Sequence, residues 1–315
     1  MKALRDVLID QWVMEMQKDQ SLVAIDCDMG PHTRVSKCFQ MFPDRAFQAG
    51  ICEQNAIGMA GGMARCGRFP LVSSFAAFIV GRCWEQIRHS VLYNEAPVLI
   101  LGTHAGFAAA EDGGSHQCFE DIGLMLTLPV IQVFAPAFPS EARKIMMELA
   151  CKKEAAYIRV GRDLLPYDIS PDEIPPIGEP IVLHRSTSPV AVVSTGEITQ
   201  VVLLASRKFP AEQRPTIVHL GCLRPFNRFA ISRILENAKV IVCVEENISS
   251  SNLFPIVSGI VHQSGSKAVR IINACRDGAF GESGDIKQLR QTYGIDADGI
   301  YQTIRSATGQ QEADS

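Results

Sequence analysis

The sequence lacks the features that would place it among nucleic-acid-binding or membrane proteins. It has 30 Lys and Arg against 34 Asp and Glu, a net charge of -4, and no long basic block. Nucleic acid and anionic membranes are therefore not expected as main partners. No apolar run reaches the roughly 18–20 residues that a membrane-spanning helix needs. The acid-containing start does not match a secretory signal.

Several catalytic and metal-binding motifs are also absent. The ten cysteines include no CxxC pair, so no metal site is expected, and their scatter favours a reducing, cytoplasmic location. GxGxxG, GxxxxGK[ST] and GxSxG do not occur. These absences argue against redox dinucleotide and nucleotide triphosphate chemistry.

What the sequence does contain is an alternation of short apolar runs and longer helical patterns. Runs rich in Val, Ile and Leu lie at 21–26, 70–74, 97–102, 130–134 and 155–160, with helical patterns near 3–18, 53–66, 76–93 and 139–153. A second series of apolar runs lies at 188–194, 215–220, 238–246 and 267–273. Short apolar runs suit buried parallel strands. The predicted fold class is α/β, with two domains, each a mainly parallel sheet flanked by helices.

The segment 164–180 separates the two series. It holds five prolines and four acids in seventeen residues, which is typical of a linker. We therefore predict a first domain at 1–165, a linker at 166–187 and a second domain at 188–315. A chain of 315 residues allows each domain to bury a core of its own.

A lone acid stands at the start of a helical pattern in GICEQNAIGMAGGMA, residues 50–64. The helix macrodipole stabilises such an acid by about 0.3–1 kcal/mol, so position alone gives Glu53 no function. Gly58, Gly61 and Gly62 favour a functional role for this helix over a purely structural one. Each glycine costs a helix about 1 kcal/mol relative to alanine, so three of them need a reason. A helix with these small residues, here called the smooth helix, lets another backbone approach closely, within the domain or between subunits. Either contact would place Glu53 in buried surroundings with little water.

Polar side chains gather in loops that follow predicted strands, where open α/β sheets bind ligands. His104, Asp112 and His116 lie in one loop rich in Gly and Ala, and Arg159 and Arg162 follow a later strand. The spacing of the histidines and acids matches no metal motif, so a polar substrate or cofactor is favoured over a metal. The arginines are candidates for binding a substrate phosphate.

Taken together, these stretches resemble the transketolase family, in particular the stand-alone C-terminal subunit of a split transketolase. GICEQNAIGMAGGMA, SSFAAFIVGRCWEQIRHS, THAGFAAAEDGGSHQCFEDI and YIRVGR occur in the family's order and at its spacing, and AFGESG followed by YGIDADGI is similar to its C-terminal tail. The resemblance covers nearly the whole chain. It implies a pyrimidine-binding domain and a transketolase C-terminal domain, and the transfer of a two-carbon ketol unit between sugar phosphates.

The resemblance implies thiamine diphosphate as the cofactor. Glu53 matches the acid that hydrogen-bonds the aminopyrimidine ring, and Asp28 matches an acid near the thiazolium. Phe75 and Phe78 match aromatics that pack against the pyrimidine, although their spacing by itself indicates core packing. The family binds the diphosphate and Mg²⁺ through a GDG…N motif that this sequence lacks. An N-terminal partner subunit carrying that motif is expected, with the cofactor between the chains of an α2β2 assembly.

Substrate contacts are also implied by the resemblance. His104 and His116 match histidines that contact the donor ketose and assist proton transfers, and Asp112 matches the acid that recognises a donor hydroxyl. Arg159 matches the arginine that holds the acceptor's phosphate, and Arg5 matches a second phosphate-binding arginine.

The sequence departs from the family pattern at two places. His32 or Thr33 stands where the family usually has a phosphate-contacting serine, and Gly81 stands near the position of a third pyrimidine-pocket aromatic. The first departure alters the expected phosphate contact. It leaves the sugar open, with an unusual pentose or a modified hexose among the candidates.

Three alternatives remain beside the split transketolase. The related 1-deoxyxylulose-phosphate synthases carry both halves on one chain. The beta chain of a 2-oxoacid dehydrogenase complex shares the glutamate motif but lacks the pairing of the 111–117 segment with His104. A non-catalytic scaffold subunit is the third, and the presence of Glu53, His104, Asp112 and His116 argues against it.

Overall fold

The described part of the chain forms two α/β sheets. The structure is a computed structural model that describes residues 1–248, 253–264, 269–275 and 280–307. Its strands are β1 Leu22–Asp26, β2 Ala46–Gln48, β3 Phe69–Phe75, β4 Leu99–Thr103, β5 Gln132–Phe134, β6 Ala156–Arg159, β7 Ile181–His184, β8 Val190–Ser194, β9 Thr216–His219, β10 Cys222–Arg224, β11 Val240–Val244 and β12 Arg270–Ala274. Its α-helices are α1 Leu4–Lys18, α2 Gly30–Thr33, α3 Ser36–Met41, α4 Glu53–Arg65, α5 Trp84–Gln86, α6 Asp121–Thr127, α7 Pro139–Lys152, α8 Ile198–Ser206, α9 Arg228–Leu235, α10 Leu253–Gln263, α11 Ile286–Thr292 and α12 Ala297–Ala307.

The first sheet has the strand order β10-β5-β6-β4-β3-β1-β2. Neighbouring strands run parallel, except that β10 pairs with β5 antiparallel. Every residue of β1, β3 and β4 is buried. One face of this sheet is covered by α4 and the 77–93 helical segment, and the other by α1 and α7. Strands buried on both faces favour apolar residues at consecutive positions, which is why these strands contain short runs rich in Val, Ile and Leu.

The second sheet has the strand order β12-β11-β8-β9-β7. Its strands are parallel except for β7, which pairs with β9 antiparallel. Helices α8 and α12 pack on one face of it and α9 and α10 on the other, so it has the same layered plan as the first sheet. The predicted α/β fold with two mainly parallel sheets is confirmed.

Three short strands, β2, β7 and β10, were not predicted. Strand β2 lies between the predicted runs 21–26 and 70–74, and β7 lies inside the segment predicted as a linker. Strand β10 lies between two runs of the second series yet joins the first sheet. Each has only three or four residues, which is too short for a periodic pattern to be recognised. The domain boundaries remain predictions. The first residues of the run 267–273 lie outside the described residues.

The helix predicted at 76–93 is present but irregular. Two π-helical segments, Ala77–Arg82 and Ile87–Tyr93, lie on either side of α5. A π-helix has a wider turn than an α-helix and is often found at functional sites. Among the described residues, no helix combines the length and the apolar character needed to cross a membrane.

The carboxyl end of the second sheet lies against the first domain. Gly196, which follows β8, donates its backbone N–H to the carbonyl of Ala135 at 3.0 Å, and Ala135 N–H donates to the Gly221 carbonyl at 2.8 Å. The Glu197 side chain accepts a hydrogen bond from Gly161 N at 2.9 Å. Backbone groups of both domains are therefore satisfied across this contact.

Candidate functional site

Most of the predicted site residues lie at the carboxyl end of the first sheet. Phe75 ends β3 and His104 directly follows β4, while Asp28 follows β1 by two residues and is exposed. Asp28 and His104 both have positive φ values, 63° and 55°, a conformation that is uncommon for residues other than glycine. Strained backbone of this kind clusters at functional sites, so the local geometry agrees with a ligand-binding edge.

Glu53 lies at the start of α4 with its carboxylate buried. Its Oε1 accepts a hydrogen bond from Ser74 Oγ at 3.2 Å, and its Oε2 is 2.5 Å from Nη1 of Arg82. Ser74 precedes the last residue of β3, so the sheet edge and the helix terminus meet at this carboxylate. Glu53 is thus held by specific partners and not by the helix macrodipole alone.

Four predicted side chains form one aromatic wall. Phe75 stacks on His104 with ring centroids 3.9 Å apart and on Phe78 at 6.0 Å with nearly parallel planes. His116 meets Phe78 edge-on at 5.2 Å. Phe75 is buried whereas Phe78 is half-buried, so the wall extends from the core to an accessible edge. The structure brings Phe75, Phe78, His104 and His116 together, which their spacing alone could not indicate.

The hydrogen bonds of His104 determine its tautomer. Thr103 Oγ1 donates to the carbonyl of Ser74 at 3.3 Å, so it accepts from His104 Nδ1–H at 3.0 Å. His104 Nε2 lies 2.9 Å from Nη1 of Arg5, and a guanidinium can only donate. His104 Nε2 is therefore the acceptor, and the imidazole is neutral.

Burial and a group of cations reinforce that neutral state. Burial lowers the pKa of His104 to about 3, with further lowering from Arg5, Arg162, His32 and Arg34 in that order. Three arginines and a second histidine therefore lie near enough to this ring to lower its pKa. Such a cluster provides a positive field for an anionic group, as a phosphate would require.

Arg5 belongs to this cationic cluster, and the His32 ring borders it. Burial and the nearby Arg34 lower the pKa of Arg5, whereas Asp6 opposes that shift. The His32 ring lies edge-on to Phe75, with centroids 6.2 Å apart. Of His32 and Thr33, the two residues predicted at the departure from the family pattern, His32 is thus part of the pocket wall. Arg34 forms an ion pair with Asp6 at 3.0 Å, and Arg162 with the exposed Glu111 at 2.6 Å.

Arg159 is not brought into this pocket. It is buried, its Nε lies 3.2 and 3.1 Å from Asp121 Oδ1 and Oδ2, and its Nη2 donates to the Glu246 carbonyl at 3.0 Å. Burial alone would lower its pKa, but Asp121 and Glu246 outweigh burial and raise it. Its donors are thus directed at the contact between the domains. Arg162, three residues later and half-buried, is the arginine of this segment that adjoins the His104 cluster.

The loop that carries Asp112 and His116 is fixed from the second domain. Gln117 donates to the Glu282 carbonyl at 2.9 Å, and a Cβ on Gly114 would lie 2.5 Å from the Gly281 carbonyl oxygen. The FGESG turn therefore packs on this loop. Asp112 is exposed, whereas His116 is half-buried and meets the wall at Phe75 and Phe78.

The sequence did not identify Arg82, Thr103 or Arg34 as part of the site. Arg82 could have been found, because it stands four residues after Phe78 on one helical segment, and residues at that spacing share a face. The guanidinium carbon of Arg82 lies 4.9 Å from the centroid of the Phe78 ring. Thr103 acts through a hydroxyl inside an apolar strand, and Arg34 through its effect on the pKa of His104, so no local pattern marks either residue.

Comparison with known proteins gives consistent results. The family described as transketolase, pyrimidine binding domain, matches residues 1–168. A putative transketolase C-terminal section from Methanocaldococcus jannaschii is 30% identical over 291 residues, covering 91% of this chain and 90% of that protein. One subunit of an apulose-4-phosphate transketolase from Actinobacillus succinogenes is 26% identical over 298 residues, covering 94% and 96%. A solved structure of a split-gene transketolase, described as an inactive β4 tetramer, superposes with a TM-score of 0.85 at 31% identity, covering 98% of each chain.

Proposed function

The chain belongs to the transketolase family as a transketolase-type C-terminal subunit, and from that premise we propose that it supplies half of a thiamine-diphosphate-dependent active site. The reaction is the transfer of a two-carbon ketol unit from a ketose phosphate to an aldose phosphate. The resemblance stated from the sequence is confirmed at the level of the family. The cofactor arrangement, the substrates and the partner belong to the proposal.

The observation that carries the proposal is a pocket wall with two chemically different ends. One end has the buried Glu53 carboxylate beside the half-buried Phe78 face. The other has the neutral His104 within a group of cations. Phe75 connects the two, since it stacks on both Phe78 and His104. A flat heterocycle and an anionic sugar phosphate would fit at opposite ends of such a wall.

The residues present fit the ring end of thiamine diphosphate. Glu53 supplies a buried carboxyl group, and Phe78 supplies a flat apolar face next to it. Among the described residues no group of three metal-binding side chains was found. When bound, the cofactor supplies the carbanion chemistry, and this chain's residues bind and orient it. Glu53 would hold the ring nitrogen, Phe75 and Phe78 would pack the ring, and Asp28 would lie towards the thiazolium.

At the other end, the cationic group would orient the substrate. Arg5, Arg34 and Arg162 would hold the phosphate, with His32 at the position of the family's usual serine. Arg162 is proposed in place of Arg159, because Arg159 is buried and its Nε and Nη2 bind Asp121 and Glu246. His104 and His116 would accept or donate hydrogen bonds at the sugar's oxygens, and Asp112 would bind a donor hydroxyl.

A second subunit is part of the proposal. The relative from Actinobacillus succinogenes is named as a subunit, and the superposed split-gene structure is described as inactive. We propose that this chain requires an N-terminal subunit with a GDG…N motif, which would hold the diphosphate and Mg²⁺. The most direct assembly has two copies of each chain.

Reconstitution is the test of the proposed function. The chain would be tagged and purified from its own cells, and co-purifying proteins would be identified. The complex would then be assayed with thiamine diphosphate, Mg²⁺ and ketose and aldose phosphates. Turnover that requires both chains and the cofactor supports the proposal. A stable, cofactor-loaded complex that transfers no ketol unit to any acceptor contradicts it.

A non-standard sugar is favoured by one observation. His32 or Thr33 stands in place of the family's serine, and the His32 ring lies in the pocket wall, so the shape of the phosphate end would differ from the usual pattern. The acceptor screen should therefore include branched pentose phosphates and sugars with other tetrahedral anions, such as a sulfonate. A preference for standard aldose phosphates over all of these would remove this second candidate.

A further inference from the structure

Arg82 occupies an unusual place beside Glu53. Its Nη1 lies 2.5 Å from Glu53 Oε2, and its guanidinium lies over the Phe78 ring, 4.9 Å from the ring centroid. The two contacts use different parts of the same flat group, Nη1 for the carboxylate and the guanidinium carbon for the aromatic ring. A guanidinium is planar and stacks on aromatic rings, so it can make both contacts at once.

The same two contacts are those that a bound aminopyrimidine ring would need. Such a ring would pack one face on Phe78 and direct a ring nitrogen at Glu53. The Arg82 side chain is 46% exposed, whereas that of Glu53 is 2% exposed. The arginine therefore reaches into the site from outside and has open space into which it can move.

We propose that the Arg82 guanidinium fills the ring site of the free chain and leaves it when the heterocycle binds. The inference rests on the proposed function, because it deepens the assignment of the Glu53 site to an aminopyrimidine. Arg82 thereby acts as an internal competitor of the cofactor. It keeps the Glu53 carboxylate paired until a cofactor is present.

Replacement of Arg82 by the ring would change the charges around the Glu53 carboxylate. The groups that face Glu53 are Arg82, the Ser74 hydroxyl and the thiols of Cys27 and Cys83. Burial, and then the charge of Glu53, raises the pKa of Cys83 to about 12 and that of Cys27 still higher, so both thiols stay neutral. Among the described residues, Arg82 is the cation paired with Glu53.

A buried carboxylate that loses its cation favours the protonated form. Departure of Arg82 would therefore let Glu53 take a proton from water. A protonated carboxyl group can donate a hydrogen bond to a ring nitrogen, which a carboxylate cannot do. Ring binding to the wild-type chain should be accompanied by proton uptake.

The test uses the full-length chain and the pyrimidine half of the cofactor, 4-amino-5-hydroxymethyl-2-methylpyrimidine. Its Kd would be measured by NMR titration between pH 7 and 9 for the wild type and Arg82→Met. Loss of the competing charged hydrogen bond should tighten binding by about tenfold. With proton uptake, wild-type affinity should fall by up to about tenfold per pH unit, and the variant should show a smaller slope.

Arg88→Met is the matched control. Arg88 lies in the second π-helical segment, is exposed and contacts His89, so its removal takes away a nearby charge without touching Glu53. It should bind the probe as the wild type does. Arg82→Lys keeps the charge and loses the planar stack, so its affinity should lie between those of the wild type and Arg82→Met. Thermal denaturation would verify that each variant is folded.

An equal or weaker affinity of Arg82→Met would overturn the inference. So would the absence of probe binding to both folded proteins, since a preformed site without its occupant should bind the ring. The proposed function can fail separately, because this test needs neither the partner nor a sugar. The reconstituted wild-type enzyme could show turnover while Arg82→Met binds the probe with an unchanged Kd. That result would contradict the inference and leave the proposed function standing.

Discussion

The two sheets share one architecture, yet their carboxyl ends are used in opposite ways. At the first sheet, Asp28 and His104 follow strands and lie in or beside a pocket wall. At the second, Glu197 and Glu246 follow strands and are buried against the first domain, and His219 ends its strand with no exposed surface. In open parallel sheets this edge is the usual place for a ligand. What covers the edge, and not the strand topology, decides whether it can bind one.

At the covered edge, buried polar side chains are hydrogen-bonded to one another. His219 Nε2 lies 3.1 Å from Glu141 Oε2, and its Nδ1 lies 2.9 Å from Thr199 Oγ1. Glu141 also accepts from Ala137 N at 2.8 Å. Each group is matched within the interior, so the arrangement can be costly to break without being accessible to a substrate.

A charged network continues along the same contact. Arg290 lies 2.5 Å from Glu246 Oε1 and 2.9 Å from Asp163 Oδ2. The charges of this network also change the pKa of Glu197. Burial, followed by the charge of Asp163, raises the pKa of Glu197 to about 8. The open edge has cations around a neutral histidine, whereas the covered edge has carboxylates around two arginines, Arg159 and Arg290.

The largest expected effect concerns Glu53, at the open edge. Glu53→Gln keeps the shape and removes the exchangeable proton, so turnover of the reconstituted enzyme should fall about 10²–10⁴-fold. Steady-state kinetics would measure this loss, and circular dichroism would verify the fold. Near-normal turnover would show that Glu53 has no catalytic role at the cofactor. The open edge would then differ from the covered edge in exposure but not in catalysis.

The second prediction separates two arginines of one segment. Arg159→Ala leaves Asp121 buried without its partner, and it should lower the free energy of unfolding by about 3–5 kcal/mol. Arg162→Ala breaks an exposed ion pair that contributes at most about 1 kcal/mol. That variant should instead raise the KM for a phosphorylated acceptor by about tenfold or more, as expected for a lost charged hydrogen bond.

Chemical denaturation and kinetics on both arginine variants would separate the roles. The non-phosphorylated form of the same acceptor is the control, because Arg162→Ala should leave its KM nearly unchanged. A higher KM in a fully stable Arg159→Ala would restore Arg159 as the phosphate ligand.

The third prediction concerns pH and the covered edge. The pKa of Glu197 rises from 4.5 to about 8 on folding, so the folded chain binds this proton more tightly than the unfolded chain does. The contribution of Glu197 to the free energy of unfolding is therefore present below pH 4.5 and is lost as the pH rises towards about 8. Burial also raises the pKa of Asp163, an effect of the same sign.

Thermal denaturation at pH 6 and pH 9 would measure this linkage. The wild type should melt at a lower temperature at pH 9, and Glu197→Gln should reduce the difference because its amide does not titrate. An equal pH difference in both proteins would show that Glu197 does not carry the proton.

The smallest expected effect compares two glycines of α4. A Cβ on Gly58 would meet nothing within 4 Å, whereas one on Gly61 would lie 2.3 Å from the Ser90 carbonyl oxygen. Gly58→Ala should stabilise the free chain by up to about 1 kcal/mol, and Gly61→Ala should destabilise it. If the exposed face of α4 is a subunit contact, Gly58→Ala should also weaken assembly, which sedimentation velocity would detect. Unchanged assembly would assign the smooth helix to packing within the domain.

The sequence allowed much of the fold and part of the site to be predicted. Buried parallel strands have continuous apolar runs, so the alternation of strands and helices could be recognised directly. The residues matched by the family resemblance include Glu53, Phe75, Phe78, His104 and His116, which the structure places around the Glu53 site and the aromatic wall. Strand β10 could not be assigned, because three residues carry no period and its partner lies about ninety positions earlier in the chain.

The sequence by itself determined the order of the elements, because apolar periodicity is a local property of the chain. It also determined which side chains are chemically able to act. Only the tertiary structure decided which of them meet. It directed Arg159 into the domain contact and left Arg162 beside His104, and it placed Arg82 against Glu53. The physical reason is that burial and the distance between charges depend on what packs over each strand end, and no stretch of sequence contains that information.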